Sequence, residues 1–180
     1  NNWDVLVSDA GTLSEAAKQE FESHNINWEE GGHSLDKIVQ ASLVVKSPGI
    51  PNHVPVIAAI ENAQIPIVSE IEFASNYTKA TLIGITGSNG KTTTAMLTHH
   101  LLTDGGVNAG LAGNIGNSFA KAVIEDQHEV YVLEISSFQL EHIQKFHPHI
   151  AVITNLTPDH LDRYDNSFEA YSDAKFNIIK

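Results

Sequence analysis

The stretch that decides the fold is Thr81–Leu97, "TLIGITGSNGKTTTAML". An apolar, strand-like run, Thr81 to Thr86, enters a glycine turn, and a helical pattern with Met96, Leu97 and Leu101 on one side leaves it. Strand, glycine loop and helix in that order form the context in which a phosphate-binding loop works. Gly90, Lys91 and Thr92 fit the tail of the pattern G-x-x-x-x-G-K-[ST], whereas Ile85 stands where its first glycine is expected. Gly87 and Gly90 let backbone N–H groups turn toward an anion, the helix amino end adds its dipole, and Lys91 supplies a point charge. The expected cradle is therefore Gly87, Ser88, Asn89, Gly90, Lys91, Thr92, Thr93 and Thr94, with the Thr92 hydroxyl placed to ligate Mg²⁺. An ordinary glycine turn beside a surface lysine is the plainer alternative.

On either side of this stretch, short apolar runs alternate with amphipathic helical segments, the pattern of βαβ units and a parallel sheet. Strands are expected at "DVLVSD", "LVVKSP", "IPIVSE", "TLIGITGS", "VYVLEISS" and "AVITNL". Helices are expected over Ser14–His24, Leu35–Ala41, Val54–Gln64, Lys91–Thr103 and Ser118–Asp126. A last helix is expected from Ser167 onward, with Asn166 as its cap and Glu169 at capping-box spacing. The polar segment Ser75–Ala80 lies between two such arrays, so the expected domains are residues 1–78 and 79–180.

Glu134 sits inside "VYVLEISS", where an unpaired carboxylate in a buried parallel strand would cost several kcal/mol. A cation facing Glu134 at the carboxyl end of its strand is the economical reading; an edge strand with Glu134 in water is the other. In the last helix Phe168, Tyr171, Lys175 and Ile178 fall on one stripe, so a lysine interrupts an apolar face. Burial there would favour a neutral amine, nucleophilic and open to modification by carbon dioxide, unless the stem packs and the ammonium reaches water. Just upstream, "NLTPDHLDRY" gathers Asp159, His160, Asp162 and Arg163 after a strand. His160 suits a metal ligand or proton carrier, or is merely exposed at a helix start.

The 180 residues are 42% hydrophobic and 18% charged, which suits a compact soluble chain. A formal net charge of -12 opposes broad attraction to nucleic acid or anionic membrane, so a bound phosphate must be met locally. Without cysteine, a bilayer-length apolar run or a basic leader, a cytoplasmic setting is expected, with no membrane insertion. The chain starts without methionine at a strand-like run, so a piece of a longer protein is expected.

Together "TGSNGKTTT", "AGNIG", "LEISSFQLE", "NLTPDHLDRY" and "YSDAKFNI" resemble the Mur ligases of bacterial peptidoglycan synthesis. The wording "SSFQLE" and "SPGIP" looks most like the D-glutamate-adding members. The family's shorter T-G-x-x-G-K-[ST] form also accounts for Ile85. The resemblance implies ATP-dependent joining of D-glutamate to UDP-N-acetylmuramoyl-L-alanine through an acyl phosphate, with a monomer expected. It implies that Lys91 contacts the outer phosphates, that Thr92 and Glu134 hold one Mg²⁺, and that His160 and a carbamylated Lys175 hold a second. Lys91, His160 and Lys175 are then the catalytic residues. Asn114, Ser136 and Gln139 would line the muramoyl path, Asp9 would meet uracil, and Ser47 and Gly49 would approach the sugar nucleotide.

In fold terms the resemblance implies a Rossmann-like UDP-sugar domain lacking its first strand, then the amino-terminal part of a P-loop ATP domain. A fragment of that kind is not expected to turn over alone. Ala10, after Asp9, departs from the family's hydrogen-bonding side chain. The competing readings are another Mur-type ligase or folylpolyglutamate synthetase, and a non-catalytic nucleotide-binding module.

Overall fold

The structure is a computed structural model that describes residues 3–125 and 127–180. It is an α/β protein whose described strand registers are all parallel. Two compact units are distinguished: residues up to Val44 with Asn52–Pro66, and Val45–Pro51 with Ile67–Lys180.

In the first unit, β1 (Leu6–Ser8) pairs in parallel with β2 (Asn27–Glu29), Leu6 opposite Asn27. Helix α1 (Glu15–Ser23) connects them and is capped by the Ser14 hydroxyl, which accepts from the Ala17 N–H at 3.2 Å. Glu29 joins β2 to β1 and to the turn before α2 (Leu35–Ile38): its carboxylate accepts from Ser8 Oγ at 2.7 Å and from the Ser34 N–H at 2.8 Å. In α3 (Pro55–Asn62), Val56 and Ile57 are buried with Ile60 one helical turn on, and Pro55 opens the helix where its missing N–H costs nothing.

Strand β3 (Val44–Lys46) pairs with β4 (Ile67–Ser69) in a two-stranded sheet. Ser69 then caps α4 (Glu70–Ser75), a helix not expected from the sequence. Glu72 of α4 is buried and accepts from the N–H groups of Gln144, Lys145 and Phe146 at 2.7 to 3.1 Å. Ile71 and Ala74 pack with Phe119, Tyr131, Leu133 and Phe146, which draws α4 into the second unit. Residues 67–75 thus pack with the second unit.

The second unit is built on a four-stranded sheet of β5 (Thr81–Thr86), β6 (Ala109–Gly113), β7 (Val130–Glu134) and β8 (Ile150–Ile153), in spatial order β6-β7-β5-β8. Side chains alternate across it. Leu82, Tyr131 and Leu133 join the cluster with α4 and α6 (Phe119–Glu125), while Ile83, Ile85 and Val132 pack with Ala95 of α5 (Lys91–Asp104). The expected end of α6 at Asp126 lies outside the described residues.

Several expectations are corrected here. Met96, Leu97 and Leu101 are 55, 54 and 61% exposed; the buried side of α5 is Ala95, because a small side chain lets the helix lie close to the strands. "VYVLEISS" is not one strand: β7 stops at Glu134, and Ser136 forms a capping box with Gln139 that starts α7 (Ser137–Leu140). The cap of α8 (Phe168–Phe176) is Ser167, whose side chain accepts from the Ala170 N–H, whereas Asn166 is left-handed at φ 58°.

Candidate functional site

Three loops meet at the carboxyl end of the four-stranded sheet: those following β5, β7 and β8. Strand β5 has β7 on one side and β8 on the other, so the chain crosses over β5 between β7 and β8. A crevice at such a crossing point is where open α/β sheets bind ligands.

Gly87 and Gly90 bend the loop after β5, with φ of 139° and 81°. A Cβ on Gly87 would lie 2.0 Å from Thr154 Oγ1, so no larger residue fits without displacing the β8 loop. That second loop holds the first in shape. The Ser88 N–H donates to the Asn155 carbonyl at 2.9 Å and the Asn89 N–H to Asn155 Oδ1 at 3.0 Å. Thr154 Oγ1 and Asn155 Nδ2 both donate to the Asn89 carbonyl, at 2.7 and 2.9 Å. The Ser88 hydroxyl donates to the Thr157 carbonyl, accepts from the Thr157 N–H, and lies 2.8 Å from Tyr171 OH. Ser88 and Asn89, read from sequence as phosphate contacts, thus also tie the cradle to its neighbour.

Thr92 Oγ1 donates to Glu134 Oε2 at 2.7 Å, and Asn114 Nδ2 donates to Glu134 Oε1 at the same distance. Glu134 is 1% exposed at the last position of β7. Gly113 allows this closeness: it has φ 102°, and a Cβ there would lie 2.3 Å from the Glu134 carbonyl oxygen. Lys91 Nζ donates to the Ser88 carbonyl at 2.9 Å, within the turn it follows. Among the described residues no three His, Asp or Glu side chains form a metal-binding group. One carboxylate and one hydroxyl beside a phosphate cradle nonetheless fit Mg²⁺, which keeps waters and takes substrate oxygens rather than an all-protein cage.

Lys175 is 2% exposed, its ammonium donating to the Gly87 carbonyl at 2.9 Å and lying 4.8 Å from the Tyr171 ring centre. Burial, helped by the nearby Lys91 charge and opposed by Asp159, lowers its pKa to about 8. The stripe of Tyr171, Lys175 and Ile178 is buried as its spacing implied, while Phe168 is 41% exposed. His160, left-handed at φ 49°, has a side chain 60% exposed, 3.7 Å from Asp159 and 5.4 Å from the Phe138 ring.

A cavity of about 410 Å³ is lined by Val45, Lys46, Ser47, Pro48, Glu70, Gly113, Asn114, Ser118 and Gln139. Ser47, Asn114 and Gln139 of the expected substrate residues are thereby brought together. Gly49 is in the same turn, closed by the Ile50 N–H donating to the Ser47 carbonyl, and Ser136 is engaged in the α7 capping box. Asp9 belongs to the first unit, where it is exposed and accepts from the Gly11 N–H at 2.7 Å. The sequence reading did not single out Thr154, Asn155, Thr157 or Lys46. A run of small polar residues directly after an apolar strand was the available signal for the first three.

Fold and loop geometry define an α/β protein with a candidate phosphate site at the carboxyl edge of a parallel sheet. Residues 85–180 match the Mur ligase middle domain, and residues 1–56 match the MurD N-terminal domain. The chain belongs to the Mur ligase family. It is 52% identical over its whole length to a UDP-N-acetylmuramoylalanine--D-glutamate ligase of Christiangramia forsetii, covering 40% of that protein. It is 51% identical over 178 residues, 99% of its length, to the enzyme of the same name from Bacteroides fragilis, again covering 40% of it. The chain thus spans about 40% of the length of the curated relatives it matches.

Among solved structures, it resembles the UDP-N-acetylmuramate:L-alanyl-gamma-D-glutamyl-meso-diaminopimelate ligase from Neisseria meningitides. The TM-score is 0.57 at 20% identity, over 97% of this chain and 60% of that one. It also resembles UDP-N-acetylmuramate-alanine ligase MurC from Thermotoga maritima, with TM-score 0.53 at 24% identity, over 97% of this chain and 41% of that one. These likenesses concern the fold. No helix among the described residues is long and apolar enough to cross a membrane.

Proposed function

We propose that this chain is part of an ATP-dependent ligase that joins D-glutamate to UDP-N-acetylmuramoyl-L-alanine in peptidoglycan synthesis. In this reading residues 1–78 form the Rossmann-like UDP-sugar domain, and residues 79–180 begin the P-loop ATP domain. The single observation that carries the phosphoryl-transfer reading is the buried Glu134 carboxylate, held between Thr92 and Asn114 beside the glycine loop. A carboxylate buried at a strand end, with two neutral side-chain donors among the described residues, is a cation site in waiting.

Bound ATP and Mg²⁺ supply the phosphoryl group and the charge compensation that activate a substrate carboxylate as an acyl phosphate. The chain's residues do the positioning. Backbone N–H groups from Gly87 to Thr94 receive the phosphates, Lys91 swings from the Ser88 carbonyl to the outermost oxygens, and Thr92 with Glu134 holds the cation. Lys175, against Gly87, lies next to the transferred group; with a pKa near 8, about a tenth of it is neutral at pH 7 and able to take up carbon dioxide. Carbamylated, it becomes an anionic ligand for a second Mg²⁺ shared with His160. Ser47, Gly49, Asn114, Ser136 and Gln139 line the sugar's approach, and Asp9 takes the uracil.

The test is phosphate release from ATP by the full-length protein, with each substrate omitted in turn. Release that needs both UDP-N-acetylmuramoyl-L-alanine and D-glutamate is expected. Release with the nucleotide sugar and a different amino acid moves the assignment to a sibling ligase. No release under any pairing leaves a nucleotide-binding module and overturns the proposal.

A further inference from the structure

Lys46 stands out from the groups that the proposed reaction uses. It is 3% exposed, and its ammonium nitrogen is buried with no hydrogen-bond partner among the described residues. A buried ammonium without acceptors is costly unless something anionic comes to it. Its surroundings do not neutralise it. Glu141 attracts it and Arg163 repels it, and Arg163 already takes Glu141, with 3.6 Å between nitrogen and oxygen. Two cations therefore share one carboxylate. Arg163 is fixed in that place: it lies 4.1 Å from the Phe138 ring and donates to the Ile50 carbonyl at 3.1 Å, which ties the Ser47–Ile50 turn to the body of the second unit.

The surplus positive charge borders the cavity that Lys46 lines with Ser47, Asn114 and Gln139, a hydroxyl and two amides. Glu70 also lines the cavity, but its carboxylate is taken by the Ala120 N–H at the start of α6, and burial raises its pKa, which weakens it as a competing anion. One cation with a hydroxyl and two amides in the same cavity lining suits a phosphate, which lysine binds as a point charge. Lys91, Thr92, His160 and Lys175 do not line this cavity. Lys46 is thus set apart from the residues proposed to receive ATP.

Resting on the ligase reading, we propose that Lys46 anchors a phosphate of the nucleotide diphosphate on the sugar substrate. Lys46 acts on binding and leaves the chemical step alone.

The experiment compares wild-type full-length protein with Lys46→Met and Lys46→Arg, using UDP-N-acetylmuramoyl-L-alanine and the same sugar-alanine without the nucleotide. Lys46→Met should raise KM for the nucleotide sugar roughly 10- to 100-fold, the loss expected for a hydrogen bond to a charged group, with kcat and KM for ATP unchanged. Lys46→Arg should recover part of the loss. On the nucleotide-free sugar, wild type and Lys46→Met should be alike. An unchanged KM, an equal loss on both sugars, or a loss confined to kcat would overturn the proposal.

Heat protection by the nucleotide sugar reads the same interaction without turnover. Ligand-free Lys46→Met should melt at or above the wild-type temperature, because an unpaired buried charge is gone, yet gain less protection from the ligand. Equal protection of both proteins overturns the role of Lys46 even where no ligase turnover is found. Wild-type turnover is the separate control on the ligase reading. Should Lys46→Met fail to fold, Lys46→Gln takes its place in each comparison.

Discussion

Glu134 does its work through its neighbours as much as through its own charge. Asn114 fixes one carboxylate oxygen and Thr92 the other, so the lone pairs left over point in a set direction. Replacing Asn114 by Ala should free the carboxylate to rotate and raise the Mg²⁺ concentration needed for half-maximal turnover about 10- to 100-fold, as loss of such partners does elsewhere. An unchanged Mg²⁺ dependence would show that Asn114 does not orient Glu134. Lys175 makes a sharper case, because its two accounts predict opposite results. As a packing residue it should tolerate replacement by a small residue with a loss of stability alone. As a carbamate carrier, Lys175→Ala should abolish turnover, and added short carboxylates such as formate or acetate should restore part of it. Full activity in that variant would remove the second-metal account.

At the scale of elements, Glu29 links β1, β2 and the turn before α2. Hydrogen bonds from the Ser34 hydroxyl and N–H and from Ser8 lower its pKa from 4.5 to about 2. A depressed carboxylate binds its proton more weakly folded than unfolded. Its contribution to stability is thus fully present above pH 4.5 and is lost as pH falls toward 2. Chemical denaturation at stepped pH should show the Glu29→Gln protein less stable than wild type at pH 6, with the difference closing between pH 4.5 and 2. A gap independent of pH would mean that shape, not charge, matters at this position.

The elements that sequence made legible are those with a strong period or a strong signature. β5, the glycine turn and α5 were read correctly because an apolar run, Gly87 and Gly90, and Lys91 follow one another at fixed offsets. Strand β6, "AGLAG", was missed because glycine and alanine carry little strand preference; its place comes from pairing with β7. On α5 the large apolar residues Met96, Leu97 and Leu101 are exposed, and the smallest side chain, Ala95, marks the closest approach to the strands. In the candidate site, the burial of Glu134 and of Lys175 was legible from pattern and spacing. The hold of Thr154, Asn155 and Thr157 on the loop was not, since it joins positions about 65 to 69 apart in sequence.

For the whole molecule, charge and architecture point the same way. With a net charge of -12 there is little general attraction for an anionic nucleotide, so the proposed binding relies on local groups, the loop and Lys91 with a cation at Glu134. A buried carboxylate, a buried lysine and a glycine turn with positive φ lie together at one edge of one sheet, apart from the two apolar clusters that pack on its faces. That concentration is the pattern expected when a fold gives up local stability to hold a reactive geometry. The family match and the relatives, of which the chain spans about 40%, make the full-length protein the proper object of assay.

The central claim is that the loop, Glu134 and Lys175 serve phosphoryl transfer to a carboxylate. Its most direct test uses UDP-N-acetylmuramoyl-L-alanine labelled with ¹⁸O in both oxygens of the alanine carboxylate, turned over by the full-length protein with ATP and D-glutamate. Mass analysis of the released phosphate should find one ¹⁸O per phosphate, carried over when the amine displaces it from the activated carboxyl group. Unlabelled phosphate would contradict the account, because ATP would then be split without its phosphoryl group ever reaching the substrate.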